Sequence, residues 1–148
     1  MLVSPEEAQR LLLRGYTYVD VRSEVEFAEN RAPGAVNVPL QLVEGDRLVD
    51  NPQFVAVMCA VFRTTDPLLI GCRSGSRSER AIQRLQLAGF SDLADLRHGF
   101  LGARDAFGRR LPGWVQHGLP VEAGEPGAGS YAQLVQRLSL DRAPAPSR

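Results

Sequence analysis

Cys72 ends the apolar run LLIG at 68–71 and opens the stretch Cys72-Arg73-Ser74-Gly75-Ser76-Arg77-Ser78. A thiol set among two arginines, three serines and a glycine is an arrangement that favours ionising the thiol. Gly75 lets the backbone reverse between a strand and a helix at little steric cost. Successive N–H groups in such a turn form an anion-binding nest. The helix N-terminus adds about half a positive elementary charge, and Arg73 and Arg77 add full ones. In such surroundings a cysteine of reference pKa about 8.5 falls to roughly 3.5–7.5. The expected group is a nucleophile already ionised at neutral pH, with no dedicated general base. Taken alone, Cys72 would read as a small apolar residue closing a core strand; the turn, the two arginines and the helix start make it a reactive-site candidate. Cys59, inside FVAVMCAVF at 54–62 and without charged neighbours, is expected to be a packing residue.

Loop length separates two chemistries. Phosphatases and arsenate reductases on this kind of loop place five residues between cysteine and arginine, so that a ring of N–H groups encloses a tetrahedral oxyanion. Here four residues, Arg73 to Ser76, separate Cys72 from Arg77. The smaller cradle suits a single sulfur atom.

Short apolar strands alternate with amphipathic helices, the pattern of an α/β sheet with crossover connections. Strands are expected at 17–21 (TYVDV), 35–38 (AVNV), 68–72 (LLIGC) and 93–96 (LADL). Three helix starts are marked by capping boxes: Ser4 with Glu7, Ser23 with Glu26, and Ser76 with Glu79. The third helix carries Ala81, Ile82, Leu85 and Ala88 on one side and stops at Gly89. The apolar segment 53–63 reads as a buried helix. Ligands of open parallel sheets bind at the carboxyl ends of the strands. Cys72, Asp20-Val21-Arg22 and Arg97-His98-Gly99 close three strands and are therefore expected to rim one crevice.

Whole-chain properties narrow the class. The 148 residues suit one domain with a single core. Lys+Arg and Asp+Glu both number 17, which argues against a global attraction to nucleic acid or a membrane. No apolar run reaches the length of a membrane span, and MLVSPEEAQR lacks a secretory pattern. Two cysteines make no disulfide framework, so a reducing, cytoplasmic setting is expected. The C-x12-C spacing and lone histidines at 98 and 117 match no zinc pattern, and neither metal nor cofactor is expected.

The motifs D-V-R at 20–22, E-F at 26–27, A-P-G-A-V-N-V-P at 32–39 and C-R-S-G-S-R-S at 72–78 resemble the rhodanese-like domain family. AGF at 88–90, PGW at 112–114 and GLP at 118–120 continue the same pattern, so the resemblance covers about Ser4 to Val121. It implies a single rhodanese-like domain at 1–122, with a central, mostly parallel five-stranded sheet flanked by helices on both faces. It also implies a sulfurtransferase whose Cys72 cycles between thiolate and persulfide. Sulfane sulfur would pass from a small anionic donor such as thiosulfate to cyanide, a thiol or a protein. The amides from Arg73 to Ser78 would cradle the terminal sulfur, much as an oxyanion hole holds an oxyanion. Arg73 would steer the donor, while Arg77 would reach Asp20 or Glu26 and fix the loop; Asp20, Arg22 and Glu26 are supporting residues. The pattern departs at Asn30-Arg31-Ala32, where the family usually has Gly-His-Ile, and at His98-Gly99, where it has Gly-Gly. His98 is expected at the surface or rim, and His117 at a helix C-terminus. The rival from another class is a sulfur-relay or redox-sensing module. Residues 123–148 read as a linker, a short helix at 131–140 using Leu134, Val135 and Leu138, and a disordered end; docking or dimerisation is the alternative use of that tail.

Overall fold

The computed structural model describes residues 1–141. The chain opens with β1 (Leu2–Val3), α1 (Pro5–Leu13), β2 (Thr17–Asp20), α2 (Glu24–Glu29) and β3 (Val36–Asn37). A hairpin of β4 (Gln41–Glu44) and β5 (Arg47–Asp50) leads to α3 (Phe54–Val61), β6 (Leu68–Gly71), α4 (Ser76–Leu87) and β7 (Leu93–Leu96). A second hairpin, β8 (Ala103–Arg104) with β9 (Arg110–Leu111), precedes α5 (Tyr131–Asp141).

The central sheet has five parallel strands in the order β1-β7-β6-β2-β3. The four expected strands are present, each within one or two residues of its expected ends, and Leu2–Val3 adds an edge strand. Two residues are too few to show alternation, which is why β1 left no trace in the sequence. Strand side chains alternate between two cores, as the period of two requires. Val19, Leu68, Ile70 and Cys72 face α3, α4 and α5, packing with Phe54, Met58, Ala81, Leu85 and Leu134. Tyr18, Leu69, Ala94 and Leu96 face the opposite side, with Ala8, Phe27, Phe100 and Trp114. Each fully buried Leu, Ile, Phe or Met contributes about 1.5–3 kcal/mol, so both faces are needed to hold so thin a sheet.

The capping boxes at Ser4–Glu7 and Ser23–Glu26 form, each with both reciprocal hydrogen bonds. The third does not. Gly75 caps α4 in the left-handed region (φ 118°), its carbonyl accepts from the Glu79 N–H, and Ser76 is already inside the first turn. Once Gly75 supplies the reversal, the helix starts one residue earlier than the Ser–Glu spacing suggests. Cys59 also departs from expectation: it is exposed. Phe54, Val57 and Met58 form the inward face of α3, and one residue beyond Met58 a helix has turned about 100°, so Cys59 points outward.

The segment after β9 is tied down. Buried Arg31 pairs with Glu122 and donates to the carbonyls of Phe27, Gly124 and Glu125. Leu134 of α5 is buried in the first core and Leu138 packs against it, while Val135 faces outward. The Tyr131 hydroxyl accepts from Asn51 Nδ2 at 3.1 Å. The disorder expected of the chain end concerns residues outside those described.

Candidate active site

β6 delivers Cys72 at the carboxyl edge of the sheet, and the loop folds back over it. Cys72 is 1% exposed. The Gly75 N–H donates to Cys72 Sγ at 3.1 Å, and the thiol donates to Ser78 Oγ at 3.5 Å. The loop is shaped from outside by the segment after β7. Phe100 N–H donates to the Cys72 carbonyl at 2.7 Å, and Leu101 N–H to the Arg73 carbonyl at 2.9 Å. With those carbonyls held, the amides of Arg73, Ser74, Ser76 and Arg77 have no partner among the described residues. Gly99 makes this close approach possible: a Cβ there would lie 2.5 Å from the Arg73 carbonyl.

The two loop arginines are used differently. Arg77 makes a two-pronged pair with Glu26, at 2.6 and 3.0 Å. Burial pushes the Glu26 carboxyl up, but the Arg77 hydrogen bonds and charge outweigh it and bring the group down to about 2. Arg73 is exposed and forms no ion pair among the described residues. Ser74 and Ser76 are exposed as well.

Asp20 and Arg22 do not line the open crevice; they are buried, 0% and 1% exposed. Arg22 grips Asp20 through Nε and Nη2, donates to the Asn30 carbonyl, and stacks 4.6 Å from the Phe100 ring. Burial pushes the Asp20 carboxyl up, against the pull of Arg22. The pair therefore fixes the floor under Phe100, whose N–H holds the loop. His98 does reach the rim, beside Ser74, Gly75 and Glu79. It adopts φ 63°, and burial with help from Arg97 pulls its imidazole below the ordinary value. His117 ends a short 3₁₀ turn, Val115–His117, capped by Gly118.

Sequence reasoning missed Asp95. Its carboxylate accepts from Ser78 Oγ at 2.7 Å, one hydrogen bond away from Cys72. Burial pushes this carboxyl up, opposed by Ser78. An acid in the middle of an otherwise apolar buried strand, LADL, was the available signal. The buried Tyr18 hydroxyl has no partner among the described residues. It lies against Gly71, where any side chain would collide with it, and its ring meets Trp114 edge-on at 5.6 Å.

No group of three His, Cys, Asp or Glu suited to a metal occurs among the described residues, and no helix there is long and apolar enough to cross a membrane. The arrangement holds a sulfur atom beneath backbone amides, which suits nucleophilic chemistry at sulfur.

Comparison with known proteins points the same way. The chain is 35% identical over 121 residues to thiosulfate sulfurtransferase 16, chloroplastic, of Arabidopsis thaliana, covering 82% of this chain and 92% of that protein. It is 32% identical over 125 residues to thiosulfate sulfurtransferase 18 of the same plant, covering 83% and 84%. The crystal structure of Rv0390 from M. tuberculosis superposes with a TM-score of 0.70 at 28% identity, covering 83% of this chain and 97% of that one. Residues 4–106 match the rhodanese-like domain, and the chain belongs to the rhodanese-like domain family.

Proposed function

We propose that the chain is a sulfurtransferase working through a persulfide on Cys72. The observation that carries this reading is the Gly75 N–H aimed at a buried Cys72 Sγ, with free amides around it. In the first half-reaction the Cys72 thiolate attacks the outer sulfur of an anionic donor such as thiosulfate. The new S–S bond forms as the donor's own S–S bond breaks, and that electron pair leaves with sulfite. The product, Cys72–S–S⁻, carries its charge on the terminal sulfur, where the unpartnered amides of Arg73, Ser74, Ser76 and Arg77 are available to solvate it. In the second half-reaction a nucleophilic acceptor takes that sulfur and the thiolate returns.

Arg73, exposed and in no ion pair among the described residues, draws in the anionic donor. Arg77 is committed to Glu26, so it is not free to clamp a phosphoryl group, which weighs against an oxyanion-cleaving role. Neither a metal nor an organic cofactor enters the scheme. The test is steady-state formation of thiocyanate from thiosulfate and cyanide. Turnover by the native chain that vanishes in Cys72→Ser is the expected result; turnover retained in Cys72→Ser would remove Cys72 from the reaction.

A further inference from the structure

His98 is the one non-glycine residue with a positive φ among the described residues, at 63°. A side chain in the left-handed region is strained, whereas glycine is not. Gly99 beside it is also left-handed, at φ 67°, and its lack of a Cβ is explained by the Cys72 and Arg73 carbonyls packed against it. Glycine at 98 would likewise relieve strain, and His98 forms no ion pair among the described residues that would offset it. A histidine kept there needs a use for its imidazole.

The residue stands at the rim of a recess of about 420 Å³. Ser74 and Gly75 line it from the Cys72 loop, Glu79 from α4, and Asp95, Arg97 and His98 from β7 and its end. Two of these lining residues lead to the sulfur. The Gly75 N–H donates to Cys72 Sγ at 3.1 Å. Asp95 is joined to the same atom through Ser78, by contacts of 2.7 and 3.5 Å. The backbone nitrogen of His98 lies 3.9 Å from where a Gly75 Cβ would stand, so His98 and the cap of the loop are neighbours.

The imidazole is available. It is partly exposed, and neither ring nitrogen has a hydrogen-bond partner among the described residues. His117, in contrast, is engaged with the Gly113 carbonyl through Nδ1 at 2.8 Å. Burial, Arg97 and His117 together pull His98 below its ordinary 6.5. Glu79 and Asp95 share its recess, Glu7 of α1 feels the charge of Arg97, and Glu6 lies 3.8 Å from His117; burial and the basic neighbours outweigh these acids. Near neutral pH the ring is therefore an unprotonated base.

We propose that His98 is the general base of the second half-reaction, taking the proton from an acceptor nucleophile that arrives protonated in this recess. The proposal rests on the sulfur-transfer reading and adds a catalytic residue to it. With a thiol, the S–H bond breaks as the proton passes to a ring nitrogen of His98. The thiolate attacks the terminal sulfur of the Cys72 persulfide and forms an S–S bond. The Cys72 S–S bond breaks, and its electron pair returns to Cys72 Sγ. The imidazolium then gives its proton to solvent, and no oxidant or reductant enters. The first half-reaction, attack of a thiolate on the donor, removes no proton from a substrate and does not call on His98.

Single-turnover transfer from the loaded full chain isolates this step, followed by intact mass in a Cys59→Ser background. Cys72 is loaded with thiosulfate, or with inorganic polysulfide where thiosulfate fails. The loaded chain is then mixed with 2-mercaptoethanol or with sulfite, which attacks without losing a proton. His98→Asn keeps a residue that tolerates the left-handed region and removes the base. It is expected to slow transfer to 2-mercaptoethanol at pH 7 at least tenfold and to leave transfer to sulfite unchanged. As pH falls from 8, the variant's thiol rate should drop about tenfold per unit, while the native rate stays near level until His98 protonates. His98→Gly is expected to show the same loss with Tm raised by about 2–4 °C. An unchanged thiol rate in both variants, an equal loss with sulfite, or a lowered Tm in His98→Gly overturns the role of His98. Loading by polysulfide alone sinks thiosulfate as donor and leaves His98 to the same comparison. A Cys72 that neither reagent loads overturns the transfer reading and the base together.

Discussion

Arg77 and Glu26, 51 residues apart in the chain, meet in a two-pronged ion pair at 2.6 and 3.0 Å beside the Cys72 loop. Glu26 also closes the capping box of α2 with Ser23. One carboxylate therefore ties the start of one helix to the start of another.

Arg77→Ala should lower stability by about 1–3 kcal/mol, between the values for exposed and buried pairs, and should disturb the loop. Arg73→Ala should instead raise KM for an anionic donor with little change in Tm. Thermal unfolding and donor kinetics on both variants separate the roles. Equal, purely kinetic losses in the two would contradict this division.

The pair also sets a pH dependence. The Glu26 carboxyl falls from its ordinary 4.5 to about 2 in the folded chain, so the unfolded chain binds the proton first. Its contribution to stability is complete above about pH 4.5 and is lost as pH falls toward 2. Denaturant unfolding across pH 6 to 2 should show a steeper acid limb for the native chain than for Glu26→Gln. Identical limbs would place the acid sensitivity elsewhere.

The one hydroxyl proton of Ser78 has two acceptors in reach, Asp95 Oδ1 at 2.7 Å and the Gly75 carbonyl at 3.0 Å, and given to either it leaves the oxygen to accept from the Cys72 thiol. Attack by Cys72 Sγ is helped when that proton turns toward sulfur. Asp95→Asn removes a nearby negative charge and releases the Ser78 hydroxyl. Alkylation of Cys72 by iodoacetamide at pH 6 should therefore speed up several-fold, measured in a Cys59→Ser background because Cys59 is exposed. A slower reaction would mean that Asp95 assists attack by the sulfur.

Two glycines carry the loop geometry. Gly75 sits at φ 118°, where a Cβ would have room but the backbone would be strained, at a cost of about 1–3 kcal/mol. Gly99→Ala adds a collision with the Arg73 and Cys72 carbonyls, at 2.5 and 2.6 Å, to a positive φ. Gly99→Ala should therefore lower Tm more than Gly75→Ala. The reverse order would mean that the 99–101 segment is not what holds the loop.

Much of this site was legible because its parts are local. The strand LLIG, the Gly75 reversal and the amphipathic stripe of α4 each leave a pattern within a dozen residues. The choice between Asp20 and Glu26 as partner for Arg77 was not local, since it depends on where α2 comes to rest against α4. Asp95 escaped notice because a single acid in a four-residue strand has no period to break. The Ser76 box misled because Ser and Glu stand at the right spacing, while glycine in the left-handed region takes the cap. Cys59 misled because composition shows that a helix is apolar, and only its rotation against the sheet shows which residue is left outside.

The central claim is the persulfide on Cys72, and intact mass after incubating Cys59→Ser with thiosulfate tests it most directly. The account predicts a gain of one sulfur, mapped to Cys72 and removed by cyanide or a thiol. A chain whose mass never changes, under conditions where iodoacetamide still modifies Cys72, would contradict it.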